Sequence, residues 1–151
     1  MKLYRIANSE YAVDLSGTGA KLYGGRWNRL GTAMVYLASS RPLAVLEVLV
    51  HLPATLIKTN FSIAEFEFTD DSIFEFDVNQ LPENWNEFPA PTIMQALGEH
   101  FIKTNKFLLM KVPSAIVDNE FNYLLNPHHK LVTEIKLVSV KSFRLDQRLR
   151  S

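Results

Sequence analysis

The run PLAVLEVLV, residues 42–50, carries a single charge, Glu47. Placed on a helix at about 100° per residue, Glu47 falls between Leu43 and Val50, in the middle of an apolar stripe. An inward carboxylate is costly unless it is paired or lines a polar cavity. Glu47 is therefore either a core staple with a buried Arg or a group held ready for chemistry, the second being favoured. A second concentration is GTGAKLYGGRWNRLG, residues 17–31, which holds five of the six glycines together with Lys21, Arg26, Arg29 and Trp27. Glycine permits positive φ and close approach of backbone to a ligand, and a turn alone uses one or two. The spacing is neither G-x-G-x-x-G nor a loop ending in G-K-[ST], so an anion must be gripped by side chains. Arg26, with its planar fork, is the candidate for a bidentate contact to phosphate; a flexible surface loop carrying a solvated Arg is the competing possibility.

These groups need a scaffold. Apolar alternation predicts strands at KLYRIA (2–7), SIAEFEF (62–68), FLLMKV (107–112) and EIKLVSVKSF (134–143), and SIFEF (72–76) reads as strand core. SSRPLAVLEVLVHL (39–52) has Ser at its start, Pro42 in its first turn and His51 near its end, the polarity of a helix. TIMQALGEHFIKTN (92–105) predicts a second helix, with Ile93, Met94, Leu97 and Phe101 at helical spacing. The class is α+β with strands outnumbering helices, and 151 residues without a repeat or linker make one domain, 1–151.

The chain has no Cys, which excludes disulfides and thiolate chemistry, and no apolar run follows Met1, so a cytoplasmic protein without a secretory signal is expected. The longest apolar run is too short to span a bilayer. Formal charge is zero but segregated: residues 59–102 hold nine Asp or Glu and no Lys or Arg, leaving basic flanks. This suits an anionic ligand gripped by the flanks, or simply a solvated acidic face. No dense basic patch points to nucleic acid. His128 and His129 are adjacent, so their side chains diverge, and a turn or surface is expected there, with no metal implied. Ser114 follows Pro113 at a strand end as a cap or turn residue, and no His lies in a triad pattern that would make it a nucleophile.

Five motifs then stand in order: YR (4–5), GTGA…GGRWN…VYLASS (17–40), LAVLEVLVHL (43–52), VPSAIV (112–117) and NYLLNPHH (122–129). Together, across nearly the whole chain, they resemble the RES domain, the toxin of a bacterial toxin–antitoxin family. The resemblance implies an ADP-ribosyltransferase-like fold, a mixed or antiparallel β core flanked by helices, acting on NAD as substrate with no resident cofactor. Nicotinamide would be released to phosphate or water; transfer to a protein is the alternative, and a catalytically silent interaction module a third. The family's Arg, Glu and Ser fall on Arg26, Glu47 and Ser114, and their joint presence speaks against the third. Arg5 and Arg26 would hold the diphosphate and ribose side, Tyr36 would line the nicotinamide end, Glu47 would face the ribose, and Ser114 and Asn126 would complete the pocket. Residues 69–88 match the family least. Trp27 would stack on a ring of NAD or, as favoured, anchor the loop in the core. The partner implied is a separate antitoxin, usually a helix-turn-helix DNA-binding protein, with a toxin homodimer as one allowed assembly. The acidic stretch 59–102 would offer such a partner a docking face.

The chemistry needs only one carboxylate. Nicotinamide leaves NAD from a positively charged nitrogen as a neutral molecule, without a proton from a general acid. By analogy with glycoside cleavage, Glu47 can stabilise an oxocarbenium-like transition state and bond a ribose hydroxyl.

Overall fold

A computed structural model describes residues 1–52 and 60–150. Its strands are β1 (Lys2–Asn8), β2 (Val35–Ala38), β3 (Phe61–Glu67), β4 (Ile73–Glu75), β5 (Leu109–Pro113), β6 (Phe121–Leu125) and β7 (Lys136–Phe143). They form one sheet in the order β4-β5-β6-β2-β1-β3-β7. Only the β4 and β5 pair is parallel. The helices are α1 (Thr18–Tyr23), α2 (Arg41–His51) and α3 (Thr92–Thr104). The architecture is the expected α+β one. β1, β3, β5 and β7 stand where alternation put strands, and α2 and α3 where periodicity put helices. No helix among the described residues is long and apolar enough to cross a membrane.

The sheet carries apolar side chains on both faces. Leu3, Val35, Leu37, Ala64, Phe66 and Leu125 form one core with Leu131, Val132 and Ile135 packed against it. The helices cover the other face. Leu43, Ala44 and Leu49 of α2 meet Ile6, Ala38 and Phe61, while Met94 and Phe101 of α3 meet Trp27, Met34, Met110 and Leu124. The start of α2 is set by Ser40, whose hydroxyl accepts the N–H of Leu43 at 3.3 Å, with Pro42 in the first turn. α3 ends at Asn105 in the left-handed region, φ 53.

Two details of the helical stripes differ from the periodicity. Ile93 is 49% exposed and Val50 is 56% exposed, so neither belongs to its helix's buried face. In α3 the place goes to Gly98, where a Cβ would stand 1.7 Å from the carbonyl oxygen of Trp27. A side chain there must push α3 off the tryptophan, so Gly98→Ala should cost about 3 kcal/mol, read as a lowered thermal midpoint. A parent-like midpoint would show that α3 can move away from Trp27 without loss.

The acidic stretch is not wholly a solvated face. Glu65 is 8% exposed and receives Arg41 at 3.2 Å, the Ser139 hydroxyl at 3.2 Å and the Tyr4 hydroxyl at 3.4 Å, with Lys2 at 3.6 Å. Burial alone would raise its carboxyl, but Lys2, Ser139, Arg41 and Tyr4 outweigh that and hold it below its ordinary value. Glu99 is tied to Arg29 at 2.6 Å and to the Thr32 hydroxyl at 2.9 Å. Glu65 is therefore a stapled carboxylate of this fold, held by Arg41 of α2.

Candidate active site

Glu47 sits half-buried at the margin of the buried face of α2, flanked there by Leu43 and Ala44. Its Oε1 accepts two hydrogen bonds, from Asn122 Nδ2 at 2.7 Å and from the Ser114 hydroxyl at 3.1 Å. The direction of the second is fixed by the rest of the serine. Its oxygen already accepts the N–H groups of Ile116 at 3.1 Å and Val117 at 3.2 Å, so its own proton goes to the carboxylate. Ser114 thus caps the turn after β5 and orients Glu47, the geometry of a donor and not of a nucleophile.

The glycine-rich loop is built from the inside. Asn28 is fully buried; its Nδ2 donates to the carbonyls of Ala20 at 2.8 Å and Thr32 at 3.0 Å. Its Oδ1 accepts the Tyr36 hydroxyl at 2.7 Å, and that hydroxyl in turn accepts the Trp27 N–H at 3.0 Å. Burial raises the Tyr36 phenol above its ordinary value, against the smaller lowering effects of the Trp27 N–H and of Arg26, so it stays protonated. Gln95 of α3 donates to the carbonyls of Gly25 and Asn28, both at 3.2 Å. Gly25 is glycine because a Cβ would lie 2.7 Å from the Tyr36 hydroxyl. Trp27 is 2% exposed and meets Phe76 edge to face, ring centres 6.2 Å apart. It anchors the loop in the core, as favoured, and is no stacking platform.

Arg26 projects from this loop. Its Nη1 donates to the carbonyls of Trp85 at 2.8 Å and Glu87 at 2.9 Å, so one nitrogen of the fork holds residues 85–87. Burial lowers the guanidinium's pKa, while the carboxylate of Glu47 acts the other way, so the two charges lie within electrostatic reach of each other.

Arg5 and Asn126 stand apart from it. Arg5 pairs with Ala64 across β1 and β3, on the core face that also holds Leu3 and Phe66. Tyr4, Ala38 and Asn122 lie on the other face, toward α2. The Arg5 guanidinium donates to the carbonyls of Tyr11, at 3.0 Å, and of Asp14, and so ties down the loop after β1. Asn126 is fully buried at the far end of β6, roughly 13 Å along the strand from Asn122. Its Nδ2 donates to Asn105 at 2.7 Å, and its Oδ1 accepts the N–H of His128 at 3.0 Å. The asparagine that touches Glu47 is Asn122, four residues earlier. Of the two histidines, His128 is exposed, while His129 is buried and caps the turn Lys130–Glu134 by accepting the Leu131 N–H at 3.1 Å.

Residues 2–146 match the profile of the RES domain. The chain belongs to the RES domain family. Among its relatives is the Toxin Res of Yersinia enterocolitica, 40% identical over 152 residues that cover 99% of this RES domain and 100% of that toxin. The Prs ADP-ribosylating toxin of a Sphingobium species is 39% identical, covering 95% of this chain and 91% of that one. In fold, the RES domain is similar to a chain of the crystal structure of the M. tuberculosis MbcT–MbcA toxin–antitoxin complex. There the TM-score is 0.78 at 20% identity, over 95% of this chain and 84% of that one.

Proposed function

We propose that this RES-family toxin breaks the nicotinamide–ribosyl bond of NAD, with phosphate or water as acceptor. The observation that carries the proposal is the constellation around Glu47. Its carboxylate is held by one oxygen, between Ser114 and Asn122, within the electrostatic reach of Arg26. The electron pair of the broken bond goes to the pyridinium ring, and neutral nicotinamide leaves. The ribosyl carbon, positive as the bond stretches, is stabilised by Glu47 and taken by an oxygen of phosphate, or of water with release of a proton. Arg26 faces the diphosphate, and Tyr36 keeps the loop that carries Arg26 in shape. Arg5 acts at one remove, by ordering residues 11–14.

Purified protein incubated with NAD, with and without phosphate, tests this by the masses of its products. Nicotinamide should appear with a phosphorylated ADP-ribose in one case and ADP-ribose in the other; intact NAD in both would overturn it. The Sphingobium relative favours a second acceptor, a protein. That alternative predicts an ADP-ribosyl mass added to a protein in a cell lysate.

A toxin that consumes NAD in its own cytosol needs restraint, and a separate helix-turn-helix antitoxin is the partner proposed, covering the site and supplying any DNA binding. Expression of this chain alone should deplete NAD and arrest bacterial growth, and co-expression with the adjacent gene should restore it.

A further inference from the structure

We propose that Asn122 is a positioning residue for Glu47, holding the carboxylate by one oxygen so that the other is left for the ribosyl group. This rests on Glu47 being the group that faces the substrate. Asn122 lies in β6 between Ala38 of β2 and Val112 of β5. Its Nδ2 stands 2.7 Å from Glu47 Oε1. A carboxylate oxygen accepts and the amide oxygen cannot donate, so chemistry fixes which end of the amide faces Glu47. The other end, Oδ1, is shut off from solvent and has no hydrogen-bond partner among the described residues. A buried acceptor without a donor lowers stability, and a side chain needed only to fill this place would be apolar, like its strand neighbour Leu124. The amide is there for its N–H. Ser114 brings the second donor to the same Oε1, and neither touches Oε2. Two donors from separate segments, β6 and the turn after β5, fix the plane of the carboxylate where one would leave it to rotate.

The experiment replaces Asn122 with Leu, which removes the donor and the orphaned acceptor together, and with Ala, which needs no repacking beside Ala38. For both, kcat for nicotinamide release from NAD should fall about 10-fold with little change in KM, the mark of a group that orients chemistry and does not bind substrate. The thermal midpoint of Asn122→Leu should not fall. In a Glu47→Gln background the same substitutions should cost little more, since the two residues act as one unit. Growth arrest reads the same variants without reference to the reaction: at parent levels of soluble protein, Asn122→Leu and Asn122→Ala should arrest growth more weakly. Full toxicity in both, or a loss that adds undiminished to that of Glu47→Gln, overturns the proposal. A parent that arrests growth yet releases no nicotinamide sinks the NAD proposal instead, and the growth assay still decides on Asn122.

Discussion

Glu47→Gln should lower nicotinamide release from NAD by about 100- to 1000-fold, the loss typical of one preorganised electrostatic group, while the protein stays folded. The amide is isosteric and its oxygen still accepts from Ser114 and Asn122, so both donors on Oε1 keep their partner. What goes is the charge on the oxygen that faces the ribosyl carbon. The fold has little reason to suffer, because the carboxylate that staples strands to helix is Glu65, with Arg41 and Lys2. Turnover at the parent rate would reject Glu47 as the stabilising group. A variant that unfolds would instead return Glu47 to a structural role, and circular dichroism separates the two outcomes. The same substitution should make expression of the chain harmless to a bacterium.

The strands that the sequence makes legible are those in which a polar residue breaks the apolar run, as Lys111 does in β5. β1 and β3 alternate because each carries core on both sides, yet of unequal depth, as at Tyr4 and Glu65. β2 and β6 lie in the middle of the sheet, and VYLA and FNYLL are short apolar runs whose periodicity says nothing about helix or strand. α1 is six residues inside a glycine-rich stretch, too short for a periodic signal. At the site, Glu47 was legible because a lone charge in an apolar helix face has few innocent explanations. Asn122 was not: an Asn in a strand has no pattern of its own, and only the pairing of β6 with β2 and β5 distinguishes it from Asn126. Asn28 was equally hidden, since its burial depends on Ala20, Thr32 and Tyr36 closing around it. Gly25 serves that internal packing, against Tyr36 and Asn28, and Arg26 beside it owes its placement to it.

Arg26→Lys keeps the positive charge and should nonetheless weaken NAD binding by about 10- to 100-fold, the equivalent of losing a charge-assisted hydrogen bond or two. In the parent, both bonds to the carbonyls of Trp85 and Glu87 come from Nη1, so the guanidinium can hold this stretch with one nitrogen and present the others of its rigid fork to a diphosphate. A lysine has a single ammonium nitrogen for both tasks. If it bonds the carbonyls it turns away from the ligand, and if it meets a phosphate it releases residues 85–87. The nearby Glu47 carboxylate, which helps to hold Arg26 in its charged form, gives the ammonium a third place to go. Calorimetric titration with NAD measures the affinity, and hydrogen exchange over residues 85–88 measures the grip on that stretch. Weaker binding with faster exchange supports the dual role. Parent-like affinity with faster exchange would make Arg26 a clamp only and leave the diphosphate to other residues.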